Sequence, residues 1–250
     1  MEAMPRRSKK SATSPLSGKV ALITGGGRGI GLAIARALAK QHCDLVLTGR
    51  HLPSLEKIGR ELSRQGIRVL AKACDVRDPA AVKALGASVR REFRRVDILI
   101  NNAGIGQPNL PLAKLPYHQW KSVVDTNLTG MFLVTREMLP LMRKGGIIAN
   151  NLSIAAERVF AGSSAYNASK HGALGLTDTL REELRSAGIR VIALLPGATD
   201  TNIWETLWPE APRKKMMSAE TVAQALVTVL ILPEDSTVEE LTIMPAAGTL

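Results

Sequence analysis

The chain has 250 residues, of which 45% are hydrophobic and 22% charged, and its formal net charge is +11 at pH 7. This is an ordinary globular composition, and the length suits one α/β domain better than two. Cys43 and Cys74 show no C-x-x-C spacing and the four histidines show no ligand spacing, so we expect neither disulfides nor a metal site.

A basic segment precedes the regular part of the sequence. Residues 1–17 carry four Lys or Arg residues among Ser, Pro and Ala, without the apolar stretch of a signal peptide. We expect a disordered tail there and a single domain over residues 18–250 of a cytoplasmic protein. No run approaches the roughly eighteen apolar residues of a membrane span. Positive charge attracts nucleic acid, but aromatic residues are only 3% of the chain and no nucleic-acid motif occurs, so neither nucleic acid nor a membrane is an expected partner.

The first regular element is an apolar run over residues 20–24, typical of a strand, which ends at the glycine-rich turn of residues 25–31 before a helix over 32–40. Glycines at such a turn let the backbone approach a pyrophosphate, and the helix N-terminus offers unpaired N–H groups. The spacing G-x-x-x-G-x-G departs from the dinucleotide fingerprint G-x-G-x-x-G, so a tight connection without a ligand is the alternative. The predicted cofactor contacts in this turn are Gly25, Gly27, Arg28, Gly29, Ile30 and Gly31.

The second strand, over residues 44–48, ends at Gly49, Arg50 and His51. NAD enzymes tend to place a carboxylate here that binds the 2′-hydroxyl of the adenosine ribose. The guanidinium of Arg50 suits a 2′-phosphate instead, and Arg28 is placed to approach the same phosphate. NADP(H) is therefore the favoured cofactor, with Arg50 and His51 among its contacts. The alternative is that both arginines are solvated side chains.

The rest of the chain alternates helical and strand patterns. Helices are predicted over residues 53–65, 79–93, 117–143, 163–187 and 219–230, and strands over 68–74, 97–101, 146–152, 190–195 and 240–244. Repeated β–α units of this length predict an α/β fold, a single-domain Rossmann-type doubly wound parallel sheet of seven strands with helices on both faces. The ligand of such a sheet lies beyond the carboxyl ends of its strands.

Tyr166 and Lys170 stand four residues apart in the predicted helix of residues 163–187, so both side chains leave one face of it. An isolated tyrosine has a pKa of about 10, and a nearby cation lowers that pKa because it favours the phenolate. The spacing therefore predicts an acid/base pair. The alternative is a packed tyrosine beside a solvated lysine.

Several motifs follow one another in order along the chain: Thr24-Gly25-x-x-x-Gly29-Ile30-Gly31, Asp75, Asn101-Asn102-Ala103-Gly104, Asn127, Ser153, Tyr166-x-x-x-Lys170, Pro196-Gly197 and Thr201. This set resembles the short-chain dehydrogenase/reductase (SDR) family from Lys19 to the C-terminus. The resemblance implies a catalytic tetrad in which Ser153 holds the substrate carbonyl oxygen and Tyr166 donates the proton. It also implies that Lys170 binds the nicotinamide ribose and lowers the pKa of Tyr166, and that Asn127 retains a water leading to solvent.

The resemblance further implies how the rest of the cofactor is bound. Asp75 is expected to contact the adenine amine, and Thr201 to lie near the carboxamide. The remaining expected contacts are Val76, Asn102, Ala103, Gly104, Tyr166, Lys170, Pro196, Gly197 and Thr199. Two residues depart from the family pattern, Ile154 where many members have a serine and Thr199 where an aliphatic residue is usual; we expect the chemistry to survive both.

Substrate specificity is expected to lie in residues 202–217, a segment next to the active site. Its large apolar residues are Trp204, Leu207, Trp208, Met216 and Met217. Apolar bulk there suits a lid that excludes water from the hydride transfer. The alternative is that these side chains pack against another subunit. The basic triplet of residues 213–215 suits an acidic carrier or a solvated face.

We predict an NADPH-dependent carbonyl reductase that is reversible as an alcohol dehydrogenase and acts on a ketone. Within the enzyme class, one alternative is 3-oxoacyl reduction on an acyl carrier protein. Another is a small hydroxy acid as substrate, because residues 240–245 resemble those of family members that act on such acids. A non-enzymatic NADP(H)-binding sensor is the alternative from another class. The resemblance also implies a homodimer or homotetramer.

Overall fold

A parallel sheet of seven strands lies at the centre of the protein, in a computed structural model that describes residues 14–248. The strand order is β3-β2-β1-β4-β5-β6-β7, and every neighbouring pair is parallel. The strands are β1 (Val20–Thr24), β2 (Asp44–Gly49), β3 (Val69–Ala73), β4 (Ile98–Asn101), β5 (Ile147–Asn151), β6 (Arg190–Pro196) and β7 (Glu240–Ile243). This confirms the predicted doubly wound sheet, in which the order reverses between β1 and β4.

Helices connect the strands. They are α1 (Gly29–Lys40), α2 (Leu52–Ser63), α3 (Pro79–Glu92), α4 (Tyr117–Val124), α5 (Gly130–Met138), α6 (Ser164–Arg185), α7 (Trp204–Leu207) and α8 (Ala219–Leu230). Helix α1 packs against α8, and α3 packs against α5. The sheet is therefore covered on both faces, as an all-parallel sheet requires.

Two neighbouring residues of β1 show how the core is divided. Leu22 and Ile23 are both fully buried, but they belong to different apolar clusters because successive side chains of a strand point to opposite faces. Ile23 packs in the cluster that contains α1 and α8, whereas Leu22 packs in the cluster that contains α3 and α5. Burying each such side chain contributes about 1.5–3 kcal/mol, so both faces fix the strands that carry the site.

The folded domain includes residues that the sequence assigned to the tail. Leu16 is only 4% exposed and packs in the cluster of α1 and α8. Ser14 Oγ donates to Gln41 Oε1 over 2.6 Å. The predicted boundary at residue 18 is therefore too late, and the rest of the predicted tail, residues 1–13, lies outside the described residues.

The long helix predicted over residues 117–143 is divided in the structure. Helix α4 is followed by one turn of π-helix over Asp125–Thr129, then by α5 and by a short 3₁₀ turn over Leu139–Leu141. Pro140 lacks a backbone N–H, which suits the end of the α-helix there. The π turn contains Asn127, and such turns occur frequently at functional sites.

Candidate active site

A cavity of about 720 Å³ opens beyond the carboxyl ends of the strands. Its lining includes Gly25 after β1, Arg50 after β2, Asp75 after β3, Asn102 after β4 and Ser153 after β5. The volume falls in the range typical of ligand sites, about 300–1,000 Å³. The sheet therefore brings most of the predicted site residues together.

The glycine turn after β1 packs too closely for a side chain at Gly31. Gly25 has φ +66°, and a Cβ on Gly31 would lie 2.4 Å from both the Gly25 carbonyl oxygen and Asn102 Nδ2. Gly31 thus allows close packing of α1 against the turn, and it is the one predicted cofactor contact that does not line the cavity. Arg28, the residue before α1, makes no side-chain cap, and the first turn of α1 holds no acidic residue. The helix N-terminus therefore fits an anionic group.

Asn102 holds this turn from the neighbouring strand. Its Nδ2 donates to the carbonyl oxygens of Thr24 at 2.9 Å and Gly25 at 3.2 Å, and its backbone N–H donates to Thr24 Oγ1 at 2.9 Å. Its Oδ1 accepts from Asn151 Nδ2 at 2.8 Å. Asn151 is not part of any motif identified from the sequence, so sequence analysis missed this link between β5 and the glycine turn.

Positive charge collects where β1, β2 and β3 end. Arg28 and Arg50 are exposed and line the cavity, and within residues 14–248 neither makes a salt bridge. His51 lies beside them and also caps α2, with Nδ1 2.7 Å from Ser54 Oγ. Asp75 is held by Arg77, whose Nη2 lies 2.6 Å from Oδ2; this hydrogen bond is the main cause that lowers the pKa of Asp75. Sequence analysis did not identify Arg77.

Tyr166 and Lys170 leave the same face of α6, as predicted. The Lys170 ammonium lies 5.6 Å from the centroid of the Tyr166 ring and donates to the Asn151 carbonyl oxygen at 3.2 Å. The two side chains are 9% and 6% exposed, so the alternative of a solvated lysine is wrong. Ser153 follows β5, and its Oγ accepts from Ala155 N at 3.1 Å.

Burial governs the protonation of this pair. It raises the pKa of Tyr166, against a smaller lowering by a hydrogen bond with the Ser153 hydroxyl. Burial also lowers the pKa of Lys170 from 10.5 to about 8. The direction is opposite to the one expected from a neighbouring lysine, because removal of the phenol from water is the largest cause of the Tyr166 shift. The tyrosine is a neutral phenol at neutral pH.

Asn127 lies behind the pair, in the π turn. Its Oδ1 accepts from Ile105 N at 2.9 Å, and its Nδ2 donates to the Ile105 carbonyl oxygen at 3.0 Å and to Ser169 Oγ at 3.0 Å. It does not line the large cavity, but with Lys170 it lines a second cavity of about 10 Å³. This is about the smallest cavity that can hold one water molecule, and it suits the predicted water-retaining role.

Gln107 is a site residue that sequence analysis missed. It is 1% exposed, and its Oε1 accepts from the backbone N–H groups of Ala165 at 2.7 Å and Tyr166 at 3.1 Å. Its Nε2 donates to the Gly162 carbonyl oxygen at 3.1 Å. Ser163, the residue before α6, makes no side-chain cap, so Gln107 caps this helix from the loop after β4. No local sequence signal connects two segments so far apart along the chain.

Residues 202–217 cover the end of the cavity beside Tyr166. Leu207 of α7 lies over Gly106, where a Cβ would come within 2.6 Å of its Cγ. Trp204 Nε1 donates to the Thr199 carbonyl oxygen at 2.8 Å, and Arg213 Nη1 contacts Asp200 Oδ1 and the Thr201 carbonyl oxygen, both at 2.7 Å. These contacts pack the segment on its own chain, and Arg213 ties it to residues 200 and 201; we call residues 202–217 the lid.

The other residues of this segment differ in position. Ile203, Trp204 and Trp208 line the cavity, whereas Met217 is buried in the cluster of α1 and α8. The two departures from the family pattern, Ile154 and Thr199, also line the cavity. They shape it without occupying the position of any tetrad group.

Residues 14–248 lack both a cluster of metal ligands and a helix that could span a membrane. No group of three or more His, Cys, Asp or Glu side chains is placed to hold a metal ion. None of the helices in that range combines the length and the apolar character that crossing a bilayer requires. Cys43 and Cys74 are both free thiols and both buried.

Comparison with known proteins defines the family. The model of the short chain dehydrogenase family matches residues 19–212, and the chain belongs to this family. It is 34% identical over 240 residues to a sepiapterin reductase of Chlorobaculum tepidum, covering 92% of this chain and 98% of that protein. The resemblance inferred from the motifs is thereby confirmed, and the protein is an oxidoreductase of the SDR type.

Solved structures share the whole fold. An alcohol dehydrogenase from the archaeon Thermococcus sibiricus, complexed with 5-hydroxy-NADP, has a TM-score of 0.86 at 32% identity, covering 91% of this chain and 97% of that one. A 3-ketoacyl-(acyl-carrier-protein) reductase from Brucella melitensis, complexed with NADH, has a TM-score of 0.83 at 30% identity, covering 92% and 98%.

Proposed function

We propose that the protein is an NADPH-dependent carbonyl reductase, reversible as an alcohol dehydrogenase. The observation that carries the proposal is that Ser153, Tyr166 and Lys170 meet in one cavity whose far end carries Arg28 and Arg50. A neutral donor pair at one end, and at the other guanidinium groups that form no salt bridge within residues 14–248, suit a carbonyl and a phosphorylated dinucleotide.

The lining fits the dinucleotide in parts. The N-terminus of α1 suits the pyrophosphate, and Arg50, with Arg28 and His51 nearby, suits the 2′-phosphate. Asp75 and Val76 would hold the adenine, and Lys170 the nicotinamide ribose. The nicotinamide end would lie among Ala103, Gly104, Pro196, Gly197, Thr199 and Thr201. The 5-hydroxy-NADP complex of the Thermococcus enzyme supports this choice of cofactor.

The bound nicotinamide supplies the hydride, and the side chains of this chain supply the rest of the chemistry. Ser153 Oγ would donate to the carbonyl oxygen of the substrate, which gains negative charge as the hydride arrives. Tyr166 would give that oxygen its proton. Because burial raises its pKa, the phenol carries this proton throughout the neutral range. The ammonium of Lys170 would stabilise the phenolate that remains, and Asn127 lies where a water would connect Lys170 onward.

Two alternatives are supported unequally. Similarity to the Brucella reductase supports 3-oxoacyl chains as substrates within the same reaction type. A non-enzymatic sensor is less favoured, because a sensor has no physical need for a lysine whose charge is destabilised by burial next to a tyrosine. The predicted dimer or tetramer and the predicted cytoplasmic location stay predictions.

The test is a screen of NADPH oxidation against aldehydes and ketones, combined with a direct measurement of NADPH binding by calorimetry. The proposal expects both binding and turnover of at least one carbonyl class. Binding without turnover of any carbonyl compound, in either direction of the reaction, would favour the sensor instead.

A further inference from the structure

The charged side chains of the cavity are concentrated at one end. Arg28, Arg50 and Arg77 follow β1, β2 and β3, whereas Tyr166 stands beside Ser153 at the end of β5. In the strand order, β2 is three places from β5. Neighbouring strands lie about 4.8 Å apart, so the end of β2 is roughly 14 Å from that of β5. Arg50 and Arg77 therefore follow strand ends that are remote from the place where a carbonyl would meet Tyr166, while Arg28 follows a strand end roughly 10 Å away.

The end beside Tyr166 is apolar. Ile105, Phe160, Ile203 and Leu207 pack around the cluster that Tyr166 forms with Ala155. Besides Ser153 and Tyr166, polar side chains such as Asn109, Ser163 and Thr206 line this end, and they are neutral. Among residues 14–248, no Asp, Glu, Lys, Arg or His lines it apart from Lys170, whose ammonium is directed at the Asn151 carbonyl oxygen.

Two charged residues of the lid are paired away from the cavity. Arg213 contacts Asp200 and the Thr201 carbonyl oxygen, and Glu205 accepts from Asn202 Nδ2 at 2.7 Å. Neither Arg213 nor Glu205 lines the cavity. The lid thus brings aliphatic and aromatic surface to the cavity, and none of its charged residues, Glu205, Glu210, Arg213, Lys214 and Lys215, lines it.

We propose that this end of the cavity takes an uncharged ketone with an apolar arm, and that it discriminates against a carboxylate or sulfonate on the same carbon skeleton. The inference rests on the proposed function, which it narrows. An anion that binds beside Phe160 and Leu207 loses its hydration without gaining a cationic partner. An ester or a thioester loses little hydration free energy in the same place. The small hydroxy acids considered from the C-terminal sequence are therefore disfavoured as substrates.

The test compares a 3-oxo ester with the 3-oxo acid of the same skeleton, with NADPH as the reductant. Physiological salt is used so that attraction of the acid by the net charge of the protein is screened. The proposal expects kcat/KM for the ester to exceed that for the acid by at least about tenfold. Equal or better use of the acid would overturn the inference and leave the proposed function standing. No turnover of the ester would also overturn the inference, whereas only failure of every aldehyde and ketone in the wider screen would overturn the proposed function.

A pair of variants at one position identifies the cause of the selectivity. Thr206 is exposed on α7 and lines the cavity, so Thr206→Arg brings a cation to the apolar end, and Thr206→Gln is a neutral control of comparable reach. The ratio of kcat/KM for the ester to kcat/KM for the acid should be severalfold lower in Thr206→Arg than in Thr206→Gln. If the two variants show the same ratio, charge does not set the preference and the inference fails.

Discussion

Lys170 donates to the carbonyl oxygen of Asn151 at 3.2 Å, while the side chain of Asn151 holds Asn102 beside the glycine turn. The lysine is thereby fixed to β5 and linked to the turn that begins the cavity. This position removes the ammonium from water, and burial lowers its pKa to about 8. A charge kept in place at such a cost indicates function rather than stability.

Removing this charge should stabilise the protein. The pKa of Lys170 is about 8 in the folded state against 10.5 in water, so burial of the charge costs roughly 3 kcal/mol below pH 8. Because the unfolded chain binds more protons between the two values, this cost disappears as the pH rises from 8 to 10.5. Lys170→Met should therefore raise the free energy of unfolding by about 1–3 kcal/mol at pH 7 and by much less at pH 10.5.

Urea denaturation at both pH values measures this effect. Lys57→Met, on the exposed side of α2, controls for the loss of one positive charge. Lower stability of Lys170→Met at pH 7, or a gain that does not change with pH, would show that the buried charge is not the cause.

The rate of carbonyl reduction should decline at alkaline pH. Below about pH 8 Lys170 is charged and Tyr166 is a neutral phenol, which is the state needed for proton donation. Above that pH the ammonium loses its proton and no longer stabilises the phenolate. The profile of kcat/KM, which reports the free enzyme, should be level up to about pH 8 and fall beyond it. A profile that rises through pH 8 would contradict these protonation states.

Arg50 should set the preference for NADPH. A hydrogen bond to a charged group contributes about 1.5–3 kcal/mol, so Arg50→Ala should weaken NADPH binding about tenfold or more. Binding of NADH, which lacks the 2′-phosphate, should change little. Arg60→Ala removes an equal charge from an exposed position of α2 outside the cavity and serves as the control. Equal affinities of the wild-type protein for NADPH and NADH, measured by titration, would refute the assignment.

Gln107 should act as a positioning residue for Tyr166. Gln107→Ala leaves the N–H groups of Ala165 and Tyr166 buried without an acceptor, at a cost of about 1–3 kcal/mol in stability. The start of α6 should then loosen, and kcat should fall by more than KM rises. Gln65→Ala, which changes an exposed glutamine after α2, should change neither the stability nor the kinetic constants. A stability loss with unchanged kcat would limit Gln107 to a structural role.

The sequence could predict the parts of the site that follow local rules. Tyr166 and Lys170 share a face because helical spacing demands it, and Arg50 and Ser153 converge because parallel strands end at one edge of the sheet. These rules need only neighbouring residues or the alternation of strands and helices.

Other parts depend on contacts between distant segments. Gln107 reaches the start of α6 across more than fifty residues, and Asn151 reaches Asn102 across 49. The π turn at Asn127 interrupts a pattern that suits one continuous helix. The direction of the Tyr166 pKa was also unpredictable, because burial is decided by the packing of Ile105, Phe160 and the lid rather than by spacing along α6.

The most direct test of the account removes one oxygen atom. Tyr166→Phe keeps the ring and its packing but deletes the proposed proton donor, and Tyr117→Phe makes the same change in the other tyrosine of the chain, which is 74% exposed on α4. With a ketone substrate, kcat of Tyr166→Phe should fall by about 10²–10⁴-fold, the usual contribution of a general acid, while NADPH binding persists. Tyr117→Phe should match the wild type. Turnover by Tyr166→Phe within a fewfold of the wild-type rate would contradict the role assigned to its phenol.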